Sequence, residues 1–521
     1  MAGTMSNRET ALPSDEGSRR LLPVTAPPMK RYLTLLLSLL FVLPLPAQSR
    51  REALLEYQAR RRQAYTEFRD NYRKACADFM RKRWEAFRAE APVPVPERRE
   101  PDIPVMKHPD APSVPTQDRM PYDKVVDLPE PAPEMPDAPG IAETPVLPGK
   151  PAAGTDDAAP AVDVSRPFKF TFYGTGCSVS LAAKHRFNLA SVQENSVANA
   201  WEGVSRGSYD AVAAECVALK KALGLNDWGY YDLVRTLADG FCGPKTNESV
   251  VLQSFLMAEA GYKVRMARGD GRLFLLLATD GQVYARPYFN IDGQVFYILD
   301  DVPRAASYNI CNFTIPGERP LSLAMPAPPL FAQKPAAPAV RNFDGVVSTT
   351  VTVNRNLMDF YTNYPPCHWS VYAATALTAP VRGQLYPLLR AAVAGKGERE
   401  AAELLLHYLH RAFPYKTDEA QFGVERTLFA EEMYYYPYSD CEDRSILFAR
   451  LVKDLLGLDV VLLYYPAHIA TAVCFKGEVK GDYMQLGNKR YVICDATYIG
   501  AGVGEAMPDL KRTPAQVVRI D

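Results

Sequence analysis

No two of the nine cysteines (Cys76, Cys177, Cys216, Cys242, Cys311, Cys367, Cys441, Cys474 and Cys494) stand in CxxC spacing. That argues against a zinc site or a thioredoxin-like pair, and no metal and no cofactor are expected. Charge of one sign is missing too: 59 Lys and Arg face 60 Asp and Glu, a formal net charge of -1, so nothing global points to nucleic acid. The apolar run Leu33–Leu43 falls short of the roughly 20 residues needed to cross a bilayer, and Pro44 and Pro46 close it. Proline and glycine are absent from residues 50–90, and aromatics are nearly absent from 91–165.

The N-terminal part reads as a series of unlike segments. In residues 1–47 a basic pair, Lys30-Arg31, precedes the apolar run, and Ala47 suits signal-peptidase cleavage. This predicts export to the periplasm or outside the cell, with an uncleaved anchor as the alternative. Residues 48–90 predict a basic amphipathic helix, with Tyr65, Phe68, Tyr72, Ala75 and Phe79 alternating at spacings of four and three. Such a helix suits a membrane surface or a coiled-coil partner, or serves as a solvated stalk. Eighteen prolines between Pro92 and Pro160 make 91–165 a disordered, Pro-rich linker.

A 47% hydrophobic composition allows cores in the rest of the chain, where two compact regions, 166–320 and 346–521, flank a Pro/Ala linker at 321–345. They read as copies of each other. ESVVLQSFLMAEA stops at Gly261 as the Ser445–Leu456 helix stops at Gly457, and three strand-like runs come after each. Upstream, LVRTLADGF resembles LLHYLHRAF. The agreement in order predicts an internal duplication.

Chemistry concentrates in the second copy. In YSDCEDRS, Ser439 and Glu442 have capping-box spacing, which starts a helix at Ser439 and puts Cys441 in its first turn. Free N–H groups and the helix dipole favour a thiolate there, while the flanking acids oppose it, so a catalytic thiol would want an imidazole partner. His468 opens the strand HIATAVCF, and Asp495 ends YVICD on the next strand. Neighbouring antiparallel strands can set the carboxylate against the ring and leave the other ring nitrogen for the thiol. Asp443 reads as a helix-start carboxylate for local N–H groups. Gln421 is the candidate oxyanion donor beside the Cys441 N–H, and Tyr434, Tyr435, Tyr436 and Tyr438 are candidate cleft residues.

The SDCEDRS stretch, the His-led strand and CDATY resemble the transglutaminase-like branch of the papain-type cysteine enzymes, in a bacterial exported member. Ser439, Cys441 and Asp443 fit its helix-start motif, His468 its histidine and Asp495 its aspartate. The resemblance implies an α+β fold of two tandem domains, each a helix packed on an antiparallel sheet, and thioester chemistry on amides. The expected function is a cysteine hydrolase of peptide or amide bonds acting on a peptide or protein substrate. A transglutaminase-type acyl transferase and a non-enzymatic peptide- or glycan-binding adaptor are the alternatives.

In the first copy the same alignment puts Lys245 at the cysteine position, Arg272 at the histidine and Asp300 at the aspartate, which predicts a catalytically dead duplicate. Cys242 is a candidate displaced nucleophile, or half of a disulfide with Cys311. Cys474 and Cys494 are candidates for a second bond or buried thiols, and His368 beside Cys367 reads as structural.

Overall fold

The structure is a computed structural model that describes residues 47–96, 124–126, 162–206 and 209–520. The export segment before Ala47 and most of the Pro-rich stretch lie outside the described residues. Residues up to Arg69 form one compact unit and Asp70–Asp521 a second. No described helix is long and apolar enough to cross a membrane.

A helix runs Ala47–Met80, ten residues short of the expected end. Beyond Met80 the chain turns, Trp84 donates its indole N–H to the Met80 carbonyl at 2.9 Å, and Glu85–Phe87 becomes a strand. Of the expected apolar stripe Tyr72 packs against the core, its hydroxyl donating to Glu259, but most of the stripe does not. Tyr65, Phe68 and Phe79 are exposed, whereas Arg73, Cys76, Ala77, Met80 and Trp84 are buried. Arg73, Cys76, Ala77 and Met80 form one helical face, and Trp84 follows from the turn beyond it. Arg73 is held by Glu259 (2.9 and 2.5 Å), Asp210 (2.7 Å) and the Ser205 carbonyl (3.0 Å). Residues 73–90 are therefore part of the second compact unit.

The fold is α+β with antiparallel sheets, and its two halves repeat one plan. The first opens with the hairpin Phe168–Phe172 and Thr175–Val179, the second with Ala339–Phe343 and Val347–Val351. After shorter helices a pair follows in each, Tyr209–Ala222 and Asp227–Cys242 against Ala379–Val393 and Glu398–Ala412, and farther along a central helix, Asn247–Glu259 or Cys441–Leu456. Each central helix is buried along nearly its whole length. Gly261 and Gly457 close these helices with φ of +80° and +65°, left-handed conformations that glycine takes without a Cβ penalty.

Each sheet has six strands in a matching order. In the first it is Tyr288–Ile291, Gln294–Tyr297, Arg272–Ala278, Val264–Gly269, Tyr308–Cys311, Glu85–Phe87. In the second it is Tyr483–Leu486, Lys489–Cys494, His468–Cys474, Asp459–Tyr465, Gln516–Arg519, Lys124–Val126. The sixth strand is antiparallel in the first sheet and parallel in the second. Period-two alternation splits the second sheet: Val460, Leu462, Ile469 and Val473 join the core shared with the central helix, and Val461, Leu463, Ala470 and Ala472 form a separate cluster.

The 321–345 stretch is packed rather than a free linker. Leu321, Leu323, Met325 and Phe331 are buried, and the Leu330 N–H donates to the Leu223 carbonyl at 2.8 Å. No disulfide forms: all nine cysteines are free thiols, so neither Cys242–Cys311 nor Cys474–Cys494 is bonded.

Glu259→Ala should destabilise the protein by about 3 kcal/mol in urea unfolding, because it strips the Arg73 guanidinium of its bidentate partner in a buried site. Arg60→Ala, at the exposed Arg60–Glu56 pair, should change stability by less than about 0.5 kcal/mol.

Candidate active site

Helix and strand lengths decide what meets. The 16-residue helix Cys441–Leu456 spans about 24 Å. After Gly457 the seven-residue strand Asp459–Tyr465 returns about 23 Å alongside it. Its far end, and the strand that begins at His468, thus lie level with the start of the helix. Ser445, one turn after Cys441, confirms this by donating its hydroxyl to the Ile469 carbonyl at 3.0 Å.

Tyr465 pairs with His468 across a two-residue turn whose second residue, Ala467, has φ +66°. On the other side Thr471 pairs with Cys494, which brings Asp495 beside the start of the His468 strand. His468 Nε2 and Asp495 Oδ2 lie 2.8 Å apart, with the two residues only 3% and 1% exposed. Burial penalises the charged Asp495 carboxyl. Nevertheless His468 and the N–H groups of Thr497 (2.9 Å) and Tyr498 (3.1 Å) hold it below the usual carboxylate range. His410 closes the other side, its Nε2 on the Asp495 carbonyl at 3.0 Å. Burial pushes His410 down to about 4.

Cys441 is the first residue of its helix, and the N-cap is Asp440, one residue later than the expected Ser439. Asp443, not Glu442, is the third helical residue. It accepts the N–H of Leu428 at 2.8 Å and of Asp440 at 3.4 Å, tying the preceding loop to the helix start. The Cys441 thiol is 1% exposed, and its Sγ lies 3.6 Å from Glu442 Oε2. Glu442, Asp418 and Asp440 form a buried group whose carboxylate oxygens lie within 4.8 Å of one another, hard donors of the kind that suit a divalent cation. Arg444, also buried, reaches Ser439 Oγ at 3.3 Å and the Phe413 carbonyl.

Other sequence candidates fall elsewhere. Gln421 Nε2 donates to the Tyr438 carbonyl at 3.3 Å, in the loop before the thiol. Tyr434 is wholly buried in the core and lines no cleft. Tyr436 is partly buried under Arg426, whose guanidinium carbon is 4.8 Å from its ring centroid. Tyr438 is exposed. His368 caps the helix Trp369–Ala374 and bonds Ser370 Oγ at 2.8 Å, a structural role.

In the first half the equivalent positions come together with other chemistry. Gly269 pairs with Arg272 across a two-residue turn, so Arg272 holds the register of His468. Arg272 Nη2 donates to the Lys245 carbonyl at 3.2 Å. The helix there starts at Asn247 under a Thr246 cap, which leaves Lys245 outside it at φ +57°, its ammonium on the Asp301 carbonyl at 2.7 Å. Asp300 pairs with Arg235 at 3.1 Å. Cys242 is no activated thiol: burial, with Glu248 nearby, pushes it up to about 12.

Sequence reasoning missed His410, Ser445 and the carboxylate group of Asp418, Asp440 and Glu442. Only the Asp495-Ala-Thr-Tyr stretch advertised its contacts, since an Asp bonding N–H groups two and three residues on is a common turn. No family model, curated protein or solved structure matches the chain.

With His410 depressed, the folded chain binds fewer protons than the unfolded chain between about pH 4 and 6.5, so this group makes stability rise with pH in that window. His410→Gln should flatten that rise by up to about 3 kcal/mol, read from urea midpoints at pH 4.5 and pH 7. An unchanged difference between the two midpoints would contradict it.

Proposed function

We propose that the second half is a thiol hydrolase of peptide or amide bonds, of transglutaminase-like type, in a chain exported through its Leu33–Leu43 segment. The observation that carries this reading is the buried His468–Asp495 pair held level with the first residue of the central helix. With Nε2 directed at Asp495, Nδ1 is the ring nitrogen that would serve the thiol. An aspartate kept ionised fixes the tautomer and stabilises the imidazolium.

In the reaction His468 takes the Cys441 proton and the sulfur attacks the carbonyl carbon. The oxyanion forms beside the Cys441 N–H at the helix start. The C–N bond breaks as His468 returns its proton to the amine. Water, deprotonated by His468, then opens the thioester to give the acid and the free thiol. An amine in place of water would make the enzyme an acyl transferase. Because Cys441 is 1% exposed, substrate entry requires the chain around the helix start to move. The first half would be a duplicate that lost its dyad.

The burial of Cys441 among core residues favours a second reading, in which the chain is an adaptor that binds peptide or glycan and the thiol is structural.

Peptide mapping after brief iodoacetamide treatment separates the two. An enzyme should alkylate at Cys441 in preference to the other eight thiols, with the rate falling at least tenfold in His468→Ala and less in Asp495→Asn. Amide-cleaving activity should drop by about 10²–10⁴-fold in His468→Ala and vanish in Cys441→Ala. Alkylation of Cys441 no faster than Cys494, in native protein at every pH, would leave the adaptor. Release of free amine against incorporation of an added amine divides hydrolysis from transfer.

A further inference from the structure

The cavity of ≈ 360 Å³ between the two halves is not lined by Cys441, His468 or Asp495. Its wall joins Trp228, Tyr284 and Arg286 of the first half to Tyr361, Trp369 and Arg426 of the second. We propose that it binds a peptide carboxylate carried next to an aromatic or apolar residue, with Arg286 as the anion's partner.

Three groups in this wall lack partners. Arg235 and Arg426 are spoken for, the first by Asp232 and Asp300, the second by Glu432. Arg286 is partly buried, yet no acid or hydrogen-bond acceptor among the described residues engages it. An unpaired guanidinium presents a planar fork matched to a carboxylate. The indole N–H of Trp228 and the hydroxyl of Tyr361, 2% and 3% exposed as residues, are also unpartnered. A buried donor left so costs about 1–3 kcal/mol. The Trp228 and Tyr361 donor atoms are themselves closed off from water-sized space, so the group that the wall presents is one unpaired cation set among rings, complementary to an anion beside an aromatic or apolar side chain.

The rest of the lining defines the body of the ligand. Trp369, Tyr364 and Tyr372 add rings to Trp228 and Tyr361, and such walls favour stacking or edge contacts with an aromatic or apolar side chain. The volume lies within the usual range of small-ligand sites and exceeds what a bare inorganic anion would fill. Asp301 and Glu425 also line the cavity, Asp301 being exposed, and with Arg235 and Arg426 already paired Arg286 is the lining arginine left for an anion.

Arg286 is presented by a turn that both halves hold. Ala285 takes φ +56°, unfavourable for a residue with a Cβ, and its N–H donates to the Val93 carbonyl at 2.7 Å. The preceding Tyr284 N–H donates to the Pro366 carbonyl of the other half at 2.9 Å.

Two of the four tryptophans line the cavity, so intrinsic fluorescence of the whole protein reports on it. Titrations would use acetyl-Phe-Glu-amide, with a side-chain carboxylate, acetyl-Phe-Phe, with a C-terminal one, and neutral acetyl-Phe-Gln-amide. At least one acidic peptide should change the emission saturably and bind at least tenfold tighter than the neutral peptide; which one does so identifies the carboxylate's source. Arg286→Gln should erase that preference, Arg286→Lys should restore part of it, and Cys441→Ala should leave it intact. Equal binding of acidic and neutral peptides, no binding of any peptide at millimolar concentration, or an Arg286→Gln protein with its preference intact would each overturn the proposal. The Cys441→Ala control keeps this result independent of the catalytic reading.

Discussion

The hydrogen bond between His468 and Asp495 depends on sheet register, and so does everything at the site. A slip of one residue between the His468 strand and either neighbour would turn one partner to the opposite face. The register is pinned on one side by the two-residue turn at Pro466-Ala467 and on the other by the pairing of Thr471 with Cys494. The central helix is fastened to the same strand through Ser445. Helix start, imidazole and carboxylate are thereby fixed by backbone geometry before any side chain contributes its chemistry.

The first half shows how little of that geometry is specific to catalysis. Its turn, strand order and glycine-terminated helix match the second half. Arg272 reaches the chain at Lys245 from the position His468 holds in the other copy. What differs is the helix start. A Thr246 cap begins the first helix after Lys245, whereas an Asp440 cap makes Cys441 the first helical residue of the second. Cap chemistry shifts the helix start along the chain, and with it the residue exposed to the helix dipole.

The electrostatic setting of Cys441 is the unusual part. Glu442 lies against the Cys441 sulfur at a helix N-terminus, Asp418 and Asp440 group with that acid, and Asp495 is held ionised beside the imidazole. The loop before the helix is part of the same arrangement: Asp443 binds its Leu428 N–H, and Arg426 in that loop reaches Glu432 and lines the cavity that holds Arg286.

Local pattern made much of this legible. Glycine stops, period-two strands and the order helix, strand, strand are near-neighbour properties, so the repeat, the helix carrying Cys441 and the strands carrying His468 and Asp495 could be read from sequence. The buried face of the first helix could not. Tyr65, Phe68 and Phe79 have the right spacing, but Arg73, Cys76 and Met80 face the neighbouring core, and only that packing selects between two stripes on one cylinder. Likewise Gln421, Tyr434 and the acids around the thiol take their roles from contacts made by loops, where chain direction is set by tertiary packing and not by periodicity. Sequence alone determined which residues could do chemistry and on what elements they ride. Tertiary structure decided which of them meet, how deeply they are buried, and that a second cavity lies between the halves, because those depend on contacts between residues far apart in the chain.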